Sequence, residues 1–110
     1  IAVEFGGEVP VGPFALIGDD SIGQGIVETL RGSRSPAVLM QNHGPFTVGK
    51  DARAAVKAAV MVEDVARTVH ISRQLGEPLP IAREHVDSLY DRYQNVYGQH
   101  PDVPARGGNA

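Results

Sequence analysis

No cysteine and no tryptophan occur among the 110 residues. The first absence removes any disulfide framework and any thiolate metal site, and it suits a cytoplasmic setting, where thiols stay reduced. No apolar run approaches the roughly 20 residues that span a bilayer. Basic runs and stripes are missing too. Ten Lys and Arg stand against 13 Asp and Glu, for a formal charge of −3. That balance argues against a nucleic-acid partner and against a membrane surface. The opening "IAVEFGGEVP" has no initiator Met, no basic leader and no signal-peptide pattern. A chain that opens in mid-pattern like this reads as a piece of something longer.

What is present is the composition of an ordinary globular domain, 42% hydrophobic and 21% charged. Residues 1–5 read as the last turn of a helix, ended by Gly6 and Gly7. "EVPVGPFALIG" (8–18) is extended and broken by Pro10 and Pro13. "DDSIGQGIVETLRG" (19–32) is a short helix with Asp19, Asp20 and Ser21 as capping acceptors, and Ile22, Ile26, Val27 and Leu30 on one face. Gly23 and Gly25 lack the third glycine and the preceding strand of a dinucleotide loop, so they mark a weak helix rather than a phosphate cradle.

"PAVLMQN" (36–42) is a short unpunctuated apolar run, the signature of a buried strand. "PFTVG" (45–49) is a second extended piece. Asp51 caps the best helix of the chain, 52–75, whose Ala55, Val56, Ala59, Val62, Ala66 and Val69 form a stripe expected to pack closely. Gly76 and "EPLP" end it, and a further helix over 81–94 follows Pro80. The tail 100–110 has no apolar face and reads as mobile. Elements in this order describe part of an α/β sandwich. A partial sheet leaves apolar surface bare, which points to more chain or to partner subunits.

Four histidines occur: His43, His70, His85 and His100. No two lie close enough in sequence to chelate together, and a zinc site without thiolates needs three or four His, Asp or Glu ligands. His43 is either a hydrogen-bonded polar residue at a strand end or a metal ligand. From the residues alone the first is the commoner case; what speaks for the second is its place at a Gly-Pro corner after a buried strand, because ligands of α/β enzymes gather at such carboxyl ends. His70 reads as a solvated helix position, and His85 and His100 as surface residues. Glu63 and Asp64 read as a solvated face. Tyr90, Tyr93 and Tyr97 are spaced to share one helical face, either to dock the last helix or to supply a phenol for proton transfer.

"QNHGPFTVGKDARAAVKAAVMVEDVA", then "RQLGEPLP" and "VYGQ", resembles the C-terminal half of the class II (zinc) aldolase/epimerase superfamily. The likeness runs over roughly residues 8–99. The Tyr-Gly-Gln ending is most similar to the branch that epimerises L-ribulose 5-phosphate at C4. The resemblance implies an α/β fold with a central, mainly antiparallel sheet flanked by helices in three layers, of which residues 1–99 are the C-terminal portion. It implies Zn²⁺ as cofactor with His43 as the last of three histidine ligands. It also implies Tyr97 as an acid/base reaching into a neighbouring subunit of a homotetramer. The remaining ligands, a His-x-His pair, and the phosphate-binding loop have no match in these residues. A catalytic histidine of the family's last helix has none either; Leu89 or Tyr90 stands at the plausible positions, and His85 is out of register.

The implied chemistry is a retro-aldol break of the C3–C4 bond of a ketopentose 5-phosphate. Rotation of the aldehyde and re-addition then convert L-ribulose 5-phosphate to D-xylulose 5-phosphate. Two other readings stay open, a class II aldolase of the fuculose-phosphate type and a non-catalytic adducin-like scaffold. The 110 residues alone are expected to be inactive, since a lone His43 cannot retain zinc.

Overall fold

The apolar run at 36–42 becomes the middle strand of a three-stranded sheet. The computed structural model describes residues 1–95, with the backbone alone at Ala2. In chain order the elements are α1 (Ala2–Phe5), β1 (Val11–Gly12), α2 (Ser21–Leu30), β2 (Ala37–Met40), β3 (Gly44–Thr47), α3 (Ala52–Arg73) and α4 (Arg83–Asn95). The sheet order is β1-β2-β3, with β1 parallel and β3 antiparallel to β2. The expected antiparallel character therefore holds for one pair and fails for the other. A parallel pair needs a crossover, and α2 supplies it.

β2 is buried on both faces, which is why its sequence does not alternate. Ala37, Val38 and Met40 are 0%, 0% and 2% exposed. Successive strand residues point to opposite faces. Ala37 joins Phe5, Ala58 and Val62 in the core on the α3 side. Met40 lies against α2, where a methyl group added at Gly25 would come within 2.8 Å of its Cε. Gly25 is thus a packing glycine inside a helix, and no phosphate loop forms there. Asp19 rather than Asp20 serves the start of α2, accepting from the Ser21 amide at 2.8 Å and from the Ser21 hydroxyl. These bonds hold the Asp19 carboxyl below the usual carboxylate value. Their support is present at neutral pH and lost as pH falls through that lowered pKa.

α3 begins where the sequence expects, with Asp51 accepting from the Ala54 amide at 2.8 Å. Its packed face keeps Val62 and, half-buried, Ala55 of the expected stripe and departs from it at the other positions. Ala58 and Val62 are buried, Ala54, Met61 and Val65 half-buried, while Val56, Ala59 and Ala66 face outward. Alanine and valine surround this helix, so its sequence cannot phase it. The tight turn from β3 does so instead. At Gly49 a Cβ would stand 2.6 Å from the Ala55 amide nitrogen and 2.7 Å from the Ala54 Cβ. Only glycine lets β3 pass this close to the first turn of α3.

α4 starts two residues later than expected and lies on α1. Large apolar side chains stay in water across the molecule, among them Ile17, Val56, Val60, Leu75 and Leu79. Among the described residues no helix is long and apolar enough to cross a membrane.

Two substitutions test this account by urea denaturation of the intact protein. Asp51→Ala, which removes the cap, is expected to destabilise by about 1 kcal/mol. Gly49→Ala, which forces the turn away from α3, is expected to cost about 1–3 kcal/mol. Equal stability of the Gly49 variant and the parent would show that the turn relaxes freely.

Candidate functional site

His43 is presented by the turn between β2 and β3. Met40 pairs with Gly44, leaving Gln41, Asn42 and His43 as the loop, and the His43 amide donates to the Met40 carbonyl at 3.0 Å. The backbone reverses through two positive φ values, 62° at Asn42 and 99° at Gly44. Asn tolerates this conformation better than most residues, and glycine adopts it freely. The quoted "NHG" is thus one turn, with the imidazole at its apex.

The ring is half-buried and held on two sides. Its plane stacks on Phe14 with centroids 5.5 Å apart and an interplanar angle of 1°. Its Nε2 lies 2.5 Å from the Ala15 carbonyl oxygen. A carbonyl only accepts, so Nε2 carries the proton and Nδ1 keeps the lone pair when the ring is neutral. Nδ1 has no hydrogen-bond partner among the described residues. Backbone-fixed tautomers of this kind are typical of metal-binding histidines, whose second nitrogen donates to an acceptor. Phe14 and Ala15 belong to the segment that leaves β1. Because β1 and β2 run parallel, both deliver their carboxyl ends to the same edge of the sheet, where ligands of open α/β sheets bind.

One imidazole is not a metal site. Among the described residues no three His, Asp or Glu side chains gather around a point. His70 and His85 are exposed on α3 and α4, away from the turn, and Glu63 and Asp64 lie on the outer face of α3. His43 fits zinc as one donor, and the remaining donors are not among these residues. His100 and Tyr97 lie outside the described residues.

A second constellation sits beyond the other end of the sheet, past Thr47. A cavity of about 690 Å³ opens between α1, the start of α3 and α4, lined by Glu4, Arg34, Lys50, Arg53, Lys57 and Tyr93 among others. It contains no histidine and is remote from His43, so its size does not make it the reaction site. The expected docking of Tyr90 and Tyr93 is seen here, with a cation near each ring. Arg34 lies 4.8 Å from the Tyr90 ring centroid and Lys57 5.7 Å from that of Tyr93.

The Class II Aldolase and Adducin N-terminal domain family matches residues 1–70. The chain belongs to that family. The matched span includes α1 through most of α3, and therefore His43 with both of its ring contacts. A 5-methylthioribulose-1-phosphate/5-deoxyribulose-1-phosphate aldolase of Rhodospirillum rubrum is 24% identical over 105 residues, covering 96% of this chain and 46% of the relative. The chain thus spans about half the length of that curated relative.

Sequence reasoning located His43 and missed what holds it. The Ala15 carbonyl is 28 positions away, and a backbone oxygen leaves no mark on composition. Only the aromatic Phe14, beside Pro13 at the end of an extended segment, offered a signal. If this cradle fixes the ring, Phe14→Ala in the intact protein is expected to weaken zinc binding about tenfold, the lower end of what outer-shell contacts contribute. Competition with a chelator measures it, and an unchanged affinity would show that the stacking is incidental.

Proposed function

We propose that this chain is the half of a class II aldolase-type enzyme that supplies the last histidine ligand of a zinc ion and an acid/base tyrosine. The reaction is aldol cleavage of a ketose phosphate. The observation that carries this is His43: an imidazole at a strand exit, its tautomer set by a backbone carbonyl, with one nitrogen left to donate. Class II aldolases are generally zinc-dependent, and an ion held in part by His43 would supply Lewis-acid stabilisation of the charge that develops on the ketose. The other ligands and the phosphate site come from chain outside these residues. So do the strands and helices that would complete the three-layer sandwich.

His43 holds its position through the hairpin and offers Nδ1 as a donor. Tyr97, in the Tyr-Gly-Gln ending, moves the hydroxyl proton at C4, a role worth about 10²–10⁴-fold. Assembly as a homotetramer lets it act in a neighbouring site. Release of the two fragments is the leading outcome, because the R. rubrum relative is named as an aldolase. The Tyr-Gly-Gln ending supports a second reading, in which the aldehyde rotates and re-adds, giving L-ribulose 5-phosphate 4-epimerisation. The family also takes in adducin, and a non-catalytic scaffold is what remains if zinc does not bind.

Product analysis on the intact protein separates these readings. With 5-methylthioribulose 1-phosphate, an aldolase yields dihydroxyacetone phosphate and (methylthio)acetaldehyde. With L-ribulose 5-phosphate, an epimerase yields D-xylulose 5-phosphate without free glycolaldehyde phosphate. His43→Ala is expected to abolish stoichiometric zinc, read by metal analysis; full zinc content in that variant refutes the ligand assignment. Tyr97→Phe is expected to lower kcat by about 10²-fold or more, and an unaltered kcat removes its role.

A further inference from the structure

Three arginines face one cavity at the end of the sheet opposite His43. A space of about 470 Å³ opens where α1 runs into β1, where α2 runs into β2, and where α4 begins. That volume lies in the usual range of small-molecule sites, about 300–1,000 Å³. Arg31, Arg34 and Arg83 line it, and among the described residues Glu8 is the one carboxylate that does so. None of the three arginines is buried, so a dissolved ligand reaches them.

Two of the guanidinium groups are held in place by the fold. Arg34 lies over the Tyr90 ring, 4.8 Å from its centroid, and donates from Nη1 to Asp87 Oδ1 at 2.7 Å. Gly6 makes room for this stack, since a Cβ there would stand 2.6 Å from Arg34 Cδ and 2.7 Å from Tyr90 Cδ2. Arg83 Nε lies 3.2 Å from the same Asp87 oxygen. One carboxylate thus joins two guanidinium ions, and Asp87 itself does not line the cavity. A guanidinium carries five N–H donors, and Asp87 engages one nitrogen of each. Arg31 is tied less firmly, with Glu28 at 3.6 Å, beyond hydrogen-bond distance. The Ser33 hydroxyl, also in the lining, accepts from the Ser35 amide at 3.1 Å, and its proton has no acceptor among the described residues.

Three cations on one cavity repel one another, and a dianion between them reverses that repulsion. Phosphate suits the task, because the planar fork of arginine matches its oxygens in pairs. Glu8 opposes a bare anion but accepts from a hydroxyl, so the ligand carries hydroxyls beside its phosphate. We propose that this cavity binds a phosphate monoester of a small hydroxylated molecule. Arg31, Arg34 and Arg83 hold the phosphate, Ser33 donates to it, and Glu8 accepts from a hydroxyl of the body. The site draws on neither His43 nor Tyr97.

The test treats the intact protein with phenylglyoxal, which modifies accessible arginines, and follows each arginine by peptide mass spectrometry. Glycerol 3-phosphate at ten times its half-protecting concentration is expected to slow modification of Arg31, Arg34 and Arg83 by about tenfold. The exposed Arg67 and Arg92 should react as before, and sodium chloride of equal ionic strength should protect nothing. Inorganic phosphate should protect the same three arginines only at higher concentration. Arg83→Gln should raise the half-protecting concentration at Arg31 and Arg34 by about tenfold or more, the loss of one charged hydrogen bond. Arg31→Gln should do the same at Arg34 and Arg83, and it removes only an exposed ion pair of little weight in folding.

Protection that sodium chloride matches, or that extends equally to Arg67 and Arg92, overturns the site. Half-protecting concentrations unchanged in both variants overturn it too. Arginines that resist phenylglyoxal with no anion added show a cavity closed by other chain, which leaves no ligand site. Inorganic phosphate as effective as the ester refutes the hydroxylated body and the part given to Glu8.

Discussion

Burial of β2 on both faces is the constraint from which the rest follows. Ala37, Val38 and Met40 have almost no contact with water, and a slip of one residue would exchange the α3-facing and α2-facing sets. Met40 needs the bare backbone of Gly25 beneath it, while Ala37 is small enough for Phe5, Ala58 and Val62 to close over it. Neither face accepts the other's side chains, so the register of β2 is fixed. A fixed register fixes where the chain turns, at Asn42 and Gly44. The turn in turn fixes His43. The position of the candidate ligand is thus a consequence of core packing three residues away, and no flexible loop intervenes.

The same packing explains why so much apolar surface remains in water. Three strands with a helix on each face can bury the centre of β2 and little more. Leu39, on the α3 side, is 37% exposed although it sits mid-strand. β1 contributes only two residues to pairing. Isolated surface leucines are unremarkable, but a half-covered central strand is not, and the chain matches only 46% of the length of its R. rubrum relative. The proposed sandwich places further elements where this surface lies bare.

The strands and helices were legible because their punctuation is chemical. Asp51 caps, Gly6 and Gly76 stop, and prolines bound the extended segments. The packed face of α3 was not legible, because Ala and Val on every side give no preferred phase and the turn at Gly49 decides. The parallel pairing of β1 was not legible either, since two residues flanked by prolines carry no signal of direction. For the site, the residue type and the Gly-Pro corner identified His43. Its cradle depends on a carbonyl from a distant segment, which no spacing rule can name. The aromatic face of α4 was visible as a pattern, but its partners Glu4, Arg34 and Lys57 are charged residues that read as solvated.

These partners matter because the chain holds the His43 hairpin and α4 by different physics. His43 is locked by local backbone geometry and by a core that water does not reach, so its placement is insensitive to charge. α4 is held against α1 and α3 by Glu4, Lys57 and Tyr93, whose mutual attraction is directional and partly screened. A ligand that must be present before chemistry begins gains from the first arrangement. The second arrangement sets the register of α4, since hydrogen bonds specify orientation where apolar contact specifies only proximity. The family match ends at residue 70, inside α3 and before α4. The hairpin that carries His43 therefore lies within the matched span, and α4 lies beyond it.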